Sequence, residues 1–200
     1  MLFLPLPNLE EIIKGRREYF IRREGINLSL KREVVLDLNV LIRGLEERRL
    51  PSIVRYEIEI IWIPRSLMVL DENFFPQLLG INTIFCNIAR RLGIKIESIY
   101  AAVRRLGIQR KVRYVEPYPQ TIGYLHKNYG IEYEDAGYLD IAFRKTVPVL
   151  TFDKCLIFQT CKHKELPPAL DPSRLATIYR RWKELFGIRD IPFLRLEQAS

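Results

Sequence analysis

Three aspartates stand at positions where an α/β fold directs side chains into a crevice. Asp37 and Asp153 each follow a short apolar run, residues 34–36 and 149–151, and Asp135 opens an acidic helix. The carboxyl ends of parallel strands and the amino ends of the helices that connect them lie at one edge of a sheet, so we expect the three side chains to meet there. Three carboxylates in one crevice repel one another unless a cation lies among them. The pattern therefore predicts a cation site.

Carboxylate oxygens without accompanying histidine or cysteine ligands suit hard cations, and we predict Mg²⁺ or Mn²⁺ at this site. Bound to a substrate phosphate, such an ion orients a water molecule, lowers its pKa and neutralises the charge that develops in phosphodiester attack. The cysteines are too few and too scattered for a disulfide framework or a zinc site. They are Cys86, Cys155 and Cys161.

The elements that must position these aspartates follow from hydrophobic patterning and from glycine and proline. Strands are predicted at residues 33–36, 57–63, 112–115 and 149–151, and helices at 40–49, 77–92, 96–106 and 120–129. A further helix is predicted after Pro64, running through Asp71, and the acidic helix stops before Pro148. This alternation predicts an α/β fold with a mostly parallel central sheet and helices on both faces. Extra helices are predicted near the two termini, at residues 9–23 and 172–186.

Length and composition fit one domain with extensions. The chain has 200 residues, 48% of them hydrophobic, and a formal net charge of +8. We predict a basic helical extension at residues 1–33, the catalytic domain at 34–160, and a helical extension packed on the same domain at 161–200. No apolar run approaches the ~20 residues that span a bilayer, and the amino-terminal stretch lacks the pattern of a signal peptide. We therefore expect a cytoplasmic protein with no membrane partner and, because of its charge, a polyanionic one.

Three motifs, in this order along the chain, resemble those of the PIN-domain nucleases, the group that includes the VapC-type toxins. Asp37–Ile42 (DLNVLI) resembles the motif that opens the family's domain. Glu134–Ala142 (EDAGYLDIA) resembles its acidic helix, and Val149–Asp153 (VLTFD) resembles its last core strand. The resemblance covers residues 34–158. It implies a PIN-like three-layer sandwich and metal-dependent endoribonuclease activity, of the toxin type or the RNA-processing type. RNA is the implied substrate, and an antitoxin or a second copy of the chain is a possible partner.

The resemblance also implies the roles of individual residues. Asp37, Asp135 and Asp153 are the predicted metal ligands. Asp71 is predicted as a fourth catalytic acid, on the helix after Pro64, with Glu72 as the reserve. Side chains that orient the carboxylates or a water are predicted at Asn39 and Thr151. One departure from the family pattern is Leu38, which replaces a small hydroxyl residue beside the first aspartate.

Each aspartate also has a purely structural interpretation. Asp37 and Asp135 could cap helices, and Asp153 could form a turn after its strand. We prefer the cation site because the three occur together in the order of one family. Asp140 lies off the face of Asp135 and is expected to be a surface charge. Glu132 and Glu134 are expected to flank the crevice.

A basic segment near the middle of the chain offers a second signal. Residues 88–106 resemble a helix-turn-helix, and the sequence RRLGI occurs at 90–94 and again at 104–108. Two alternatives to a nuclease therefore remain: a DNA-binding regulator that uses this helix pair, and a catalytically weak nucleic-acid-binding protein. In each case the basic segment is predicted to contact a phosphate backbone. Its predicted contact residues are Arg90, Arg91, Lys95, Arg104, Arg105, Arg110, Lys111 and Arg113.

Overall fold

A computed structural model describes residues 26–29, 32–145, 147–163, 165–177, 180 and 195–198. The predicted amino-terminal helix at 9–23 lies outside these residues, as does most of the predicted carboxyl-terminal helix, of which 172–177 are helical. The labelled elements, in chain order, are β1 (Ile26–Ser29), β2 (Glu33–Leu36), α1 (Leu38–Glu46), β3 (Ile60–Pro64), β4 (Ser66–Leu70), β5 (Pro76–Gly80), α2 (Ile81–Leu92), α3 (Ile96–Arg105), β6 (Val112–Val115), α4 (Pro119–Tyr129), α5 (Tyr133–Lys145), β7 (Val149–Leu150), α6 (Lys154–Lys162), β8 (Ala169–Leu170) and β9 (Arg195–Gln198).

The fold is α/β, built on a five-stranded sheet in which every pairing is parallel. The strand order is β6-β3-β2-β7-β8. Strand β2 lies at the centre, and Val34, Val35 and Leu36 are fully buried. A parallel strand that is covered on both faces reads as a continuous apolar run, which is why the sequence revealed β2 and β7. The prediction of an α/β fold with a mostly parallel sheet is confirmed. Outside this sheet, β1 pairs with β9 in antiparallel fashion.

Helix α5 carries the acidic cluster and packs against β2, β3, β7 and β4. Its residues 136–142 are all buried. Gly137 allows the closest approach, because a Cβ atom at this position would lie 3.2 Å from Cδ2 of Leu67 on β4. The helix is therefore fixed against the central sheet and the neighbouring strand at once, and the direction of its first turn is set by core packing.

Helix ends and strand positions agree with several predictions. Gly93 and Gly130 end α2 and α4 in the left-handed conformation, with φ values of 65° and 66°, as glycine readily does. Strand β6 has the predicted bounds. The second predicted strand is shorter than expected, because a single turn of π-helix occupies Ile53–Glu57 and β3 begins at Ile60. Strand β1, helix α6 and strand β8 were not predicted. Strand β8 belongs to the central sheet although its residues fall in the predicted carboxyl-terminal extension.

The helix predicted after Pro64 is wrong. Residues 66–80 form an antiparallel hairpin in which Leu67 lies opposite Leu79 and Leu70 lies opposite Pro76. Pro64 ends β3 and opens no helix. The apolar run 67–70 fits either a short strand or one turn of helix, and pairing with residues 76–80 decides for the strand. For the same reason α2 begins at Ile81 and not near residue 77.

Asp140 is buried, and its expected place on the surface is wrong. Its Oδ2 accepts hydrogen bonds from Nη2 of Arg144 at 2.6 Å and from the backbone N–H of Tyr118 at 3.0 Å. Arg144 also donates to the carbonyl of Glu116 and lies over the Tyr118 ring. The ion pair therefore fastens the loop before α4 to α5. The carboxylate is satisfied in the core by a partner that the local sequence pattern does not reveal.

The helices within the described ranges are all too short or too polar to cross a membrane. The cysteines carry no disulfide, and each is exposed.

Candidate active site

Three chain segments bring the predicted aspartates to one cavity at the carboxyl edge of the central sheet. Asp37 follows β2 and caps α1. Asp153 is the third residue after β7 and caps α6, and Asp135 lies in the first turn of α5. All three line a single cavity of about 360 Å³, together with Glu132 and Glu134. The prediction that these aspartates meet at one edge is confirmed.

Asp37 is buried and held in a network of hydrogen bonds. Its Oδ2 accepts from Oγ1 of Thr151 at 2.6 Å and from Nδ2 of Asn39 at 2.6 Å, and its Oδ1 accepts from the N–H of Asn39 at 3.1 Å. Both polar residues predicted to orient the carboxylates therefore contact the first aspartate directly. The network fixes this carboxylate and joins the β2–α1 turn to the end of β7.

The same network reaches the third aspartate. Oγ1 of Thr151 accepts from the N–H of Asp153 at 2.8 Å, and Oδ1 of Asn39 accepts from the N–H of Phe152 at 3.1 Å. Oδ1 of Asp153 accepts in turn from the amides of Cys155 and Leu156 at the start of α6. The structural interpretation as a cap is thus confirmed for Asp37, and a cap is also found at Asp153. Neither role removes these carboxylates from the cavity.

Asp135 differs from the other two aspartates. Within the described chain no hydrogen-bond donor contacts its half-buried carboxylate. Burial raises the pKa of the Asp135 carboxyl to about 8, and the negative charges of Asp37, Asp153, Glu132 and Glu134 act in the same direction. A carboxylate without donors among like charges is the arrangement that an added cation would stabilise.

Two other acids share this electrostatic environment. Burial raises the pKa of Asp37, and this effect outweighs the hydrogen bonds from Thr151 and Asn39, which lower it. Loss of water contact at the cavity wall raises the pKa of Glu134, as do the charges of Asp37 and Glu132. The cavity therefore brings several acidic side chains together, and Arg91 is the one basic residue among its described lining.

Tyr138 was not predicted as part of the site and lies directly behind it. Its hydroxyl accepts a hydrogen bond from the N–H of Leu38 at 3.1 Å and also acts as a hydrogen-bond partner of Asp37, whose pKa it lowers. The ring is fully enclosed, and burial raises the pKa of the Tyr138 hydroxyl well above its usual value, so it stays a neutral donor. The sequence signal was present, since Tyr138 stands three residues after Asp135 and therefore on the same side of the helix.

Asp71 does not join the other three aspartates. It lies in the turn between β4 and β5, where Oδ1 accepts from the amides of Asn73 and Phe75, each at 2.9 Å. The hydrogen bond from Phe75 is the main cause that lowers the pKa of Asp71. Neither Asp71 nor Glu72 lines the cavity. The position expected for the fourth acid depended on a helix that the chain does not form. Glu132 and Glu134 do line the cavity, as expected of residues that flank the crevice.

Helix α2 contributes part of the cavity wall. Asn87 and Arg91 contribute its polar side chains. Asn39 and Tyr138 also line the cavity. The apolar lining comes from α1, the hairpin and α2; these residues are Leu38, Ile42, Val69, Leu79, Ile84, Ile88 and Leu92. Arg91 was predicted as a phosphate contact, and Asn87 was not. The cavity lining therefore combines acidic and apolar side chains with one basic side chain, that of Arg91.

The predicted basic segment divides into free and occupied side chains. All of these residues except Lys111 are exposed, and six have a side chain with no hydrogen bond to another described residue: Arg90, Arg91, Lys95, Arg104, Arg105 and Arg110. Lys111 donates to the carbonyls of Arg55 and Ile58 at 2.7 and 2.6 Å, and burial lowers the pKa of its ammonium group. Arg113 donates to two backbone carbonyls near its own strand. Lys111 and Arg113 therefore stabilise loops, which leaves the other six for a partner.

The helix pair suspected of reading DNA is present as α2 and α3, which are joined at Gly93 and packed through Phe85 against Tyr100. Since α2 also lines the acidic cavity, packing accounts for its apolar positions.

In the part of the chain that the structure covers, no three acidic, histidine or cysteine side chains stand close enough together to hold a metal ion. Comparison with protein-family models finds no match for this chain, and comparison with curated proteins finds none either.

Proposed function

We propose that this chain is a metal-dependent endoribonuclease of the PIN type, which hydrolyses RNA phosphodiester bonds at the acidic cavity. One observation carries the proposal: Asp37, Asp135 and Asp153, separated by up to 116 positions in the sequence, line the same cavity at the carboxyl edge of a parallel sheet. Open α/β sheets bind ligands at that edge. The three-layer sandwich of the family is part of the proposal and agrees with the α/β architecture.

The donor atoms fit a hard divalent cation. Asp37, Asp135 and Asp153 offer only carboxylate oxygens, which Mg²⁺ and Mn²⁺ prefer. Asp135 is the clearest candidate ligand, because no donor in the described structure occupies its oxygens. When bound, the ion would supply a polarised water and neutralise charge on the phosphate. Asn39 and Thr151 would hold Asp37 in place for this role, as they already do.

The substrate requires positive charge near the acids, and α2 provides it. Arg91 lines the same cavity as the carboxylates, and a guanidinium group can bind a phosphate with two parallel hydrogen bonds. Arg90 and Lys95 lie exposed beside it along the chain. These cations would attract a polyanion and hold its backbone near the acids.

The catalytically weak alternative has one observation in its favour. The carboxyl groups, as they stand, do not converge into a metal-holding group within the described residues. A chain with that property could bind RNA through the exposed basic side chains of the segment from Arg90 to Arg110 and cleave it poorly. The two functions are separated by whether divalent ions bind at the aspartates, since binding through the arginines needs none.

The test is cleavage of labelled single-stranded and structured RNA with Mn²⁺, with Mg²⁺ and with a chelator, alongside calorimetric titration of Mn²⁺ into the protein. We expect cleavage that the chelator stops, and loss of both cleavage and Mn²⁺ binding in Asp135→Asn. Glu97→Gln is the matched control, because it removes an exposed carboxylate from α3. Cleavage that persists with the chelator and in Asp37→Asn would refute the mechanism. RNA binding without Mn²⁺ binding would favour the weak-binding alternative.

The biological setting stays a prediction. Toxin-type and RNA-processing enzymes would share this cavity, and a partner antitoxin would have to cover it. The DNA-binding alternative predicts tight duplex-DNA binding that Arg104→Ala abolishes without any RNA cleavage. Arg104 is exposed on α3 and lines no part of the cavity, so this substitution distinguishes the helix pair from the acidic site.

A further inference from the structure

The β4–β5 hairpin presents an apolar surface to solvent. Phe74 and Phe75 in its turn are 80% and 67% exposed, and Leu70 and Leu78 on its strands are 49% and 52% exposed. Monomeric proteins scatter single apolar residues over their surfaces but seldom group several large ones. The grouping on one hairpin therefore indicates a surface that another molecule covers.

The turn holds its phenylalanines outward by specific hydrogen bonds. Asp71 accepts from the amides of Asn73 and Phe75 and from the side chain of Gln77, and its own N–H donates to the carbonyl of Phe75. Phe74 has a φ of 63°, a conformation that costs a bulky residue on the order of 1–3 kcal/mol unless its surroundings impose it. The sequence thus maintains a strained turn that keeps two aromatic rings in water.

Strand β5 also has an open backbone edge. The bonds from Asp71 to Phe75 and from Ile81 to Arg65 mark hydrogen-bonded pairs at the two ends of the hairpin. Hydrogen-bonded and non-hydrogen-bonded residue pairs alternate along an antiparallel ribbon. The backbone groups of Gln77 and Leu79 therefore bond to β4. The backbone N–H and C=O groups of Leu78 and Gly80 point away from β4. No other described strand pairs with this edge. An open, apolar edge is a template for another strand.

We infer that β5 and its turn form a self-complementary interface through which two copies of this chain associate. In this dimer β5 pairs in antiparallel fashion with β5 of the second copy, about a two-fold axis at Leu78. Leu78 of each copy exchanges two hydrogen bonds with its equivalent, and the N–H of Gly80 donates to the carbonyl of Pro76 across the axis. Pro76 has no N–H group to donate in return. Four backbone hydrogen bonds still join the two strands, two between the Leu78 residues and two from Gly80 to Pro76. One patch meets its own equivalent, as a two-fold interface requires.

The charges around β5 favour a second copy as the occupant. The turn carries Asp71 and Glu72, and this pairing places it beside the start of α2 of the other copy. That helix begins at Ile81 with no side-chain cap and no acidic residue in its first turn. The amino end of a helix carries partial positive charge, which the acidic turn would complement. An anionic lipid surface, by contrast, would be repelled by the same acids.

The available area is sufficient for a small dimer interface. Because a buried aromatic side chain contributes about 150–250 Å², the two phenylalanines offer about 300 Å² per copy at their observed exposures. A specific interface buries ~1,000 Å² of accessible surface in total. The phenylalanines of two copies reach this area together with Leu70, Leu78 and the strand edges. The inference does not depend on the proposed nuclease activity.

Sedimentation velocity over a range of protein concentrations tests the inference. We expect a monomer–dimer equilibrium, and Phe75→Asp should raise the dimer dissociation constant at least about 30-fold because it places a charge in the apolar centre. Phe158→Asp is the matched control, since Phe158 is 69% exposed on α6, away from the hairpin. A monomer at all concentrations, or equal weakening by both variants, would overturn the inference.

Cross-linking tests the register. In a variant whose three native cysteines are serine, Leu78→Cys should oxidise to a disulfide-linked dimer, because directly opposed residues in such a pair have Cα atoms about 5.5 Å apart. Gln120→Cys, exposed on α4, should remain monomeric under the same conditions. Failure of Leu78→Cys to cross-link would exclude the two-fold pairing. A monomer that instead binds neutral phosphatidylcholine vesicles through Phe74 and Phe75 would assign the patch to a lipid surface and refute a dimer.

Discussion

Replacing Asp135 by asparagine should stabilise the metal-free protein at alkaline pH. The folded state surrounds this carboxyl group with four other acids and no hydrogen-bond donor among the described residues, which raises its pKa from 3.8 to about 8. A raised carboxyl pKa means that folding favours the protonated form. The stabilisation is complete below the unfolded-state pKa and is lost as the pH rises through the folded-state value. Asparagine keeps the shape without ionising.

The size of the effect follows from the number of protons bound. Between the two pKa values the folded state holds one more proton than the unfolded state, so the free energy of unfolding falls by about 1.4 kcal/mol per pH unit. From about pH 5 to about pH 8 the loss amounts to at most about 4 kcal/mol, and partial solvent contact of the half-buried group reduces it to about 2 kcal/mol. For a chain of this length that corresponds to a difference of about 4–8 °C in Tm.

Thermal unfolding followed by circular dichroism, in a chelator, measures this difference. We expect the Tm of the wild type to fall relative to that of Asp135→Asn by this amount between the two pH values. Adding Mn²⁺ at the higher pH should raise the Tm of the wild type and leave that of the variant nearly unchanged, since a bound ion stabilises the folded state. Glu97→Gln should follow the wild type in both experiments.

A constant Tm difference between wild type and Asp135→Asn across this pH range would contradict the electrostatic argument. It would mean that the carboxylate is hydrated or paired in solution. A wild-type Tm that Mn²⁺ does not change would leave the electrostatic argument standing but would remove the metal from the proposed function.

Other substitutions test the contacts around the site and away from it. Thr151→Val should lower the free energy of unfolding in urea by about 1–3 kcal/mol, because it removes a donor from buried Asp37, and should weaken Mn²⁺ binding; an unchanged midpoint would show that this network contributes nothing. Asp140→Ala should cost about 3 kcal/mol in the same assay, since it leaves Arg144 facing the core without its carboxylate; a loss below about 1 kcal/mol would contradict this. Asp71→Ala should lower Tm and weaken self-association while Mn²⁺ affinity, measured by calorimetry, stays the same; a loss of Mn²⁺ binding would return Asp71 to the metal site.

The elements around the cavity could be predicted because their signals are local. A buried parallel strand is an uninterrupted apolar run, which locates β2 and β7, and a left-handed glycine ends a helix, which locates the ends of α2 and α4. The three aspartates follow from the same logic. Each stands where a predicted element ends or begins, and in a parallel sheet those places share one edge.

The hairpin and the buried acid could not be predicted in this way. Residues 67–70 satisfy a strand and a turn of helix equally well, and only their pairing with residues 76–80 selects the strand. That choice moves Asp71 from the expected site to a turn. Asp140 has the sequence context of a surface charge, and Arg144 and the loop before α4 make its burial possible.

The sequence by itself determined the main strands of the parallel sheet and the positions of Asp37, Asp135 and Asp153 at element ends, because these depend on periodicity and on residues that start or stop elements. Only the tertiary structure decided that Asp71 lies in a turn away from the cavity, that Tyr138 supports the first aspartate, and that the hairpin leaves an apolar edge open. These features depend on which distant segments pack together, and the free energy of that packing is a property of the whole chain.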